Sequence, residues 1–114
     1  MLYALLALVA GAPAPPPAAR QEGGNLAQYL SSADYPLHAI RHREEGTATF
    51  RIGIGPDGRV SACAITASSG HKSLDQATCR IMRERLRFAP ARDSEGRPVA
   101  DAIEGLKVTW RLPR

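Results

Sequence analysis

Six residues, GIGPDG from Gly53 to Gly58, match the G-x-G-x-x-G pattern of dinucleotide-binding loops. Such a loop binds a pyrophosphate only when a strand leads into the glycines and a helix begins directly after them. Here the preceding run, GTATFRIGI, alternates apolar and polar residues, and the following run, RVSACAIT, is again β-rich without a helical stripe. The glycines therefore join strand to strand, and the pattern predicts a hairpin in place of a nucleotide site.

The turn of this hairpin is predicted at Pro56, Asp57 and Gly58. Proline presets φ for a turn, aspartate bonds its own backbone, and glycine accepts the positive φ that closes the hairpin. We therefore expect a left-handed or otherwise positive φ at Gly58.

Metal-ligating and catalytic patterns are incomplete in this chain. His38 and His42 have the four-residue spacing of helical metal ligands, but no third ligand is apparent and residue 39 is Ala where a metalloprotease has Glu. The carboxylates that fall in turns or near a helix start have the positions of caps, and they do not form an acid and base pair: Asp57, Asp75 and Asp93. We predict no catalytic residue, metal, cofactor or small-molecule substrate, and hence no enzyme.

The chain is basic, with a formal net charge of +4 and a sequence pI near 9.6. Glu84 interrupts the densest group of basic residues, and no aromatic residue lies between its members, which are Arg80, Arg83, Arg85 and Arg87. This pattern is typical of a solvated helix face, so we do not expect nucleic-acid binding.

The amino terminus indicates export. An uncharged run from Leu2 to Ala12 is shorter than the roughly 20 residues of a membrane-spanning helix, but it suits the apolar region of a secretory signal. The end of a longer membrane anchor, with a true start upstream, would have the same sequence. We assign residues 1–19 to this segment and its Pro/Ala spacer, residues 20–33 to a flexible linker, and residues 34–114 to one small domain.

The two cysteines, Cys63 and Cys79, fall in the second predicted strand and in the helix that follows it. These elements must pack together if the sheet is to have a covered face, and an exported chain meets an oxidising compartment. We therefore predict a disulfide bond, with a pair of buried thiols as the alternative. A catalytic thiol is not indicated, because His71 is the one histidine nearby in sequence and nothing marks a residue that would orient it.

Five elements are predicted in the order α, β, β, α, β. A first helix in DYPLHAIRHREEG has Asp34 as its N-cap, Leu37, Ile40 and Ala39 on its apolar side, and Gly46 at its end. After the hairpin, apolar residues recur at helical spacing over residues 74–87, and LKVTWRL then alternates again. The pattern predicts an α+β fold, a three-stranded antiparallel sheet covered by the second helix. The expected core is Phe50, Ile52, Val60, Ile65, Leu74, Ile81, Phe88 and Trp110.

Several short segments follow one another in a distinctive order. They are YP at 35–36, EEGTATFRIGIGPDGRV at 44–60, SSG at 68–70, LDQA at 74–77 and LRFAPA at 86–91. Each segment alone is unspecific, but their order and spacing are hard to obtain by chance. With the final strand they span residues 34–112, and together they resemble the TonB family carboxy-terminal domain.

The resemblance implies an energy transducer in the periplasm of a Gram-negative envelope. Members of this family are anchored in the inner membrane beside a proton-driven motor and act on outer-membrane TonB-dependent transporters, whose extended N-terminal segment pairs with the last strand of the domain. An open sheet edge suits such pairing because its backbone groups lack partners. This chain matches that strand at Lys107, Val108, Thr109, Trp110, Arg111 and Leu112, of which Lys107, Thr109 and Arg111 would tune selectivity.

The amino terminus departs from the family pattern. A basic cytoplasmic tail, a full membrane helix and a long proline-rich spacer do not appear, and residues 12–19 would extend only about 25 Å as polyproline II. Two functions therefore remain. One is a TonB-like protein that binds transporters by strand addition for energy-dependent transmembrane transport, and the other is a soluble periplasmic adapter or structural module that has the fold without transducing energy.

Overall fold

The structure, a computed structural model, describes residues 20–21 and 31–113. The expected export segment, residues 1–19, lies outside the described residues, as does most of the expected linker. The elements in chain order are β1 (Arg20–Gln21), a 3₁₀ helix (Ser32–Asp34), α1 (Leu37–Arg41), β2 (Gly46–Ile54), β3 (Val60–Ala67), α2 (Lys72–Arg85), β4 (Phe88–Ala89), β5 (Ala91–Arg92), β6 (Pro98–Val99) and β7 (Asp101–Trp110). None of the described helices is both long and apolar enough to cross a membrane.

Three long strands form the central sheet in the order β3, β2, β7, and both neighbouring pairs are antiparallel. This arrangement, with α2 packed on one face, confirms the predicted α+β fold. Two short antiparallel pairs, β1 with β4 and β5 with β6, were not predicted. Two-residue strands are too short to show a period of two, so the sequence pattern does not reveal them.

The hydrophobic core lies between α2 and the inner face of β2. Alternate residues of β2 are buried, as its period of two predicted, and they meet one stripe of α2. The core predictions are confirmed for Phe50, Ile52, Leu74, Ile81, Phe88 and Trp110, each at most 4% exposed. Val60 and Ile65 are only partly buried against this core, because they lie on the outer strand β3.

The glycine-containing segment joins strand to strand, as predicted. Gly58 has a φ of +80°, and the backbone N–H of Arg59 donates to the Asp57 carboxylate at 3.0 Å. Gly58 also lies against another part of the chain, since the Phe88 N–H donates to the Gly58 carbonyl at 2.8 Å. A Cβ atom at Gly58 would stand 2.1 Å from the Phe88 carbonyl oxygen. Glycine is therefore required here, both because φ is positive and because there is no room for a Cβ atom.

The first helix differs from its prediction. It begins at Leu37 and ends at Arg41, and its predicted apolar side is wrong for two of its three residues, because Leu37 is 61% and Ile40 42% exposed. Only Ala39 is buried on this helix. Gly46 does not end the helix but begins β2.

Asp34 lies in the 3₁₀ helix and does not cap α1. Its carboxylate forms two hydrogen bonds of 2.6 Å with the Arg85 guanidinium at the end of α2. The hydrogen bonds from Arg85, supported by those from Ser31, hold the pKa of Asp34 well below its usual range. Asp34 therefore ties the 3₁₀ helix to α2, a role that sequence spacing did not indicate because the two residues are 51 positions apart.

The predicted disulfide is present. Cys63 on β3 and Cys79 on α2 are bonded, with their Cα atoms 5.6 Å apart. The bond joins the outer strand of the sheet directly to the helix that covers it. Helix α2 runs back along β3 after a short loop, which brings the two cysteines together although they are 16 residues apart in sequence.

Replacing Gly58 by Ala is expected to destabilise the fold more than replacing Gly96 by Ala. Gly96 has nearly the same φ, +82°, but a Cβ there would meet nothing within 4 Å. Gly96→Ala should therefore cost only the strain of a positive φ, about 1 to 2 kcal/mol. Gly58→Ala should cost about 1 to 3 kcal/mol more, because the Phe88 backbone must move. Urea unfolding of both variants measures the difference, and equal costs would contradict the close approach.

Reducing the disulfide is expected to lower the free energy of unfolding by about 3 kcal/mol, since the bond restricts the unfolded chain. Urea unfolding with and without a phosphine reductant measures this loss. The matched control is the double variant Cys63→Ala and Cys79→Ala, whose stability should not respond to the reductant. A wild-type protein equally stable in both conditions would contradict the prediction.

Candidate partner-binding edge

The last strand, β7, lies at one end of the central sheet and pairs with β2 on one side. Among the described residues no strand pairs with its other side. The prediction placed this strand at residues 107–112, whereas it runs from Asp101 to Trp110. Four of the six predicted residues thus lie in the strand, and Arg111 and Leu112 follow it. The full edge is longer than the predicted one.

An irregularity in the ladder explains why the first half of β7 was missed. Between the pairs Phe50 with Leu106 and Ile52 with Ile103, the register shifts, so β7 has one extra residue there. Gly105 takes a φ of +70° at this bulge. A bulge breaks the alternation of side chains between the two faces, and alternation is the signal by which a strand is predicted from sequence.

The side chains of the second half of β7 alternate as predicted. Val108 and Trp110 are each 4% exposed and face α2. Lys107 and Thr109 are exposed on the opposite face. The Thr109 hydroxyl lies 2.9 Å from the hydroxyl of Thr47, its partner on β2. One face of the strand is therefore anchored in the core, while the other presents polar groups.

Trp110 is the main anchor of this strand. Its indole Nε1 donates a buried hydrogen bond to Oγ1 of Thr78 on α2 at 2.9 Å, and the same hydroxyl donates to the Leu74 carbonyl at 2.8 Å. The Tyr35 ring meets Trp110 edge to face, with 5.3 Å between ring centroids. Trp110 was predicted to lie in the core, but its bond to Thr78 was missed. The sequence does contain a signal for this bond, because the N–H group of a buried indole must find a hydrogen-bond acceptor.

A polar cluster around Glu44 holds Tyr35 in place. The Tyr35 hydroxyl donates to the Glu44 carbonyl, and the Ser73 hydroxyl donates to the Glu44 carboxylate. The same carboxylate lies 3.4 Å from Nδ1 of His71 and 3.7 Å from Nε2 of His38. The Ser73 hydrogen bond, supported by the imidazoles of His71, His38 and His42, lowers the pKa of Glu44 against the effect of desolvation, while burial raises the pKa of Tyr35. The cluster joins α1 and α2 beneath the end of β7.

The segment after β7 remains attached to the domain. The Leu112 backbone N–H donates to the Glu45 carboxylate at 2.7 Å. A cavity of about 400 Å³ lies beside this segment and is lined by Ser31, Ser32, Tyr35, Thr109, Trp110, Arg111, Leu112 and Pro113. Arg111 and Leu112 therefore border a concave surface next to the end of the edge strand.

The two histidines considered as candidate ligands are exposed, and the three aspartates that were predicted as caps accept backbone hydrogen bonds. The exposed rings of His38 and His42 stack with centroids 4.2 Å apart, and within residues 31–113 no group of three or more ligand side chains is arranged to hold a metal. Each of the three turn aspartates accepts backbone N–H bonds, as predicted for caps: Asp57 from Arg59, Asp75 from Ser69, and Asp93 from Glu95 and Arg97.

Comparison with known proteins gives a consistent result. Residues 31–112 match the family model of the Gram-negative bacterial TonB protein C-terminal. The protein tonB2 of Pseudomonas aeruginosa is 37% identical over 79 residues, which is 69% of this chain and 28% of that protein. The chain thus matches less than a third of the length of this relative.

The bond between Trp110 and Thr78 is expected to stabilise the attachment of β7. Thr78→Val preserves volume but leaves the indole N–H without its acceptor, so it should lower the free energy of unfolding by about 1 to 3 kcal/mol. A double-mutant cycle with Trp110→Phe isolates the bond, because Thr78→Val should cost less where no indole is present. If Thr78→Val costs the same in both backgrounds, the bond does not contribute.

Proposed function

The chain belongs to the family of Gram-negative TonB C-terminal domains, and from this premise we propose that it is a periplasmic TonB-like protein that binds outer-membrane transporters by β-strand addition. In this function the edge of β7 receives an extended segment of the transporter. This binding serves energy-dependent transport across the outer membrane.

The observation that carries the proposal is the position of β7 at the end of the sheet. A strand paired on one side has backbone N–H and C=O groups that point away from the sheet, and an extended peptide can pair with them. The same strand is attached firmly to the core by Trp110 and Val108. A firmly held edge has little conformational entropy to lose when a peptide binds, which favours affinity.

Side chains around the edge would provide selectivity. Backbone pairing is the same for every sequence, so discrimination must come from neighbouring groups. Lys107 and Thr109 are exposed on the outer face of the strand, and Arg111 and Leu112 border the adjoining cavity. The two cations favour carboxylates on the transporter segment.

Titration with transporter peptides tests strand addition directly. The oxidised, isotope-labelled protein is titrated with peptides from the N-terminal segments of outer-membrane transporters encoded in the same genome, while the amide signals are followed. We expect shifts concentrated on residues 101–110. Shifts centred on α2, or no binding to any of these peptides, would contradict the proposal.

N-methylated peptides provide the matched control. Only alternate N–H groups of an added strand point toward the edge that it joins. One peptide is methylated at the backbone nitrogens of its odd-numbered residues and another at those of its even-numbered residues. Methylation should abolish binding of one of these peptides and preserve binding of the other. Equal effects in the two peptides would exclude strand addition even if the peptide binds near β7.

The mature amino terminus distinguishes energy transduction from the adapter function. Mass spectrometry of the protein purified from its native envelope determines whether the apolar run is retained. An uncleaved anchor supports a coupling to an inner-membrane proton-driven motor, whereas a mature chain that begins after Ala12 supports the soluble adapter.

A further inference from the structure

The opposite end of the sheet has a second edge. Strand β3 pairs with β2 on one side, and among the described residues no strand pairs with its other side. Beside β3 and beneath α2 lies a groove of about 460 Å³, here called the edge groove, lined by Cys63, Gln76, Cys79, Arg80, Arg83 and Glu84. This groove is separate from β7, since β2 lies between the two edges.

The middle of the β3 edge is regular and little obstructed. Register shifts occur near both ends of β3, but Ala62 to Ile65 pair with β2 without interruption. The whole strand, VSACAITA, has short side chains and contains no lysine or proline. Lysines, prolines and bulges are the features that prevent an edge strand from pairing with another chain. The segment 62–65 lacks all three.

The disulfide sets the position of α2 relative to this segment. Cys63 lies within the regular stretch of β3, and its bond to Cys79 fixes the helix at that point. Gln76, Arg80 and Arg83 follow on the same exposed side of α2 along the groove. A chain that paired with β3 would therefore run directly beside these helix side chains.

The groove has a positive charge. Arg80 and Arg83 are exposed, and neither forms an ion pair with a carboxylate among residues 31–113. Directly before β3, Arg59 pairs with Arg87 by a backbone bridge, so the open part of the edge lies beyond this bridge. Glu84 is the one carboxylate that lines the groove. Unpaired arginines beside an open backbone edge favour a partner that is both extended and acidic.

We propose that the edge groove is a second docking site, which binds an extended acidic segment of a partner protein by strand addition to residues 62–65 of β3. The partner's backbone pairs with the β3 edge, and its carboxylates contact Arg80 and Arg83. The site is independent of transporter binding at β7, so one protein can hold two partners at opposite ends of the same sheet.

A designed peptide tests the site. The probe is acetyl-Glu-Val-Glu-Val-Glu-Val-amide, titrated into the oxidised, isotope-labelled full chain, and its counterpart has glutamine in place of each glutamate. The acidic peptide should shift amide signals of residues 60–67 and 76–84 and bind at least about tenfold more tightly than the neutral one. Equal affinities, or shifts confined to residues 101–110, would overturn the proposal.

Matched charge variants separate specific contacts from net charge. Arg80→Gln with Arg83→Gln should weaken binding of the acidic peptide about tenfold or more. Arg41→Gln with Arg92→Gln removes the same number of charges from exposed positions that neither line the groove nor lie on α2, and it should have little effect. Equal weakening in both double variants would overturn the proposal.

Two further measurements establish that the variants are folded and that the groove is specific for protein. Well-dispersed amide signals from each variant show that the fold is retained, and transporter peptides that bind at 101–110 with unchanged affinity show that β7 is intact. A single-stranded oligonucleotide that shifts residues 76–87 and displaces the acidic peptide at lower concentration would assign the arginines to nucleic acid and overturn the proposal.

Discussion

The structure depends on the burial of one sheet face under one helix. Alternate residues of the central strand β2, including Phe50 and Ile52, meet the apolar stripe of α2 and form most of the core. Among the described residues, no strand pairs with the outer side of β3 or of β7, so the sheet ends in two open edges.

The remaining interactions attach peripheral parts to this core. The disulfide joins β3 to α2, and the hydrogen bond from Trp110 to Thr78 joins β7 to the same helix. The ion pair of Asp34 with Arg85 attaches the 3₁₀ helix to its end. Helix α2 thus holds both outer strands of the sheet, β3 through the disulfide and β7 through Trp110. A strand held in this way loses little conformational entropy when a peptide pairs with it, which suits strand addition.

The two edges differ in their surroundings, and this difference predicts different partners. The end of β7 adjoins a cavity beside Tyr35 and Trp110, whose aromatic rings pack together. The middle of β3 adjoins Arg80 and Arg83 on α2. Carboxylates next to apolar side chains would be favoured beside the first edge, where Lys107 is exposed on β7 and Arg111 lines the cavity, and carboxylates alone beside the second. The backbone thus provides affinity at both edges, while the neighbouring groups separate the ligands.

The sequence by itself determined the elements whose signals are local: strand β2 from its period of two, the turn at Gly58 from its glycine, and helix α2 from its apolar stripe. It also determined the family resemblance. The disulfide followed because adjacent elements must pack. Only the tertiary structure decided that β2 is central and that β7 begins at Asp101, since a bulge at Gly105 hides the alternation. It also decided the exposure of Leu37. The ion pair of Asp34 with Arg85 attaches the 3₁₀ helix just before Leu37 to α2. Because these two residues are 51 positions apart, no local pattern can encode the contact.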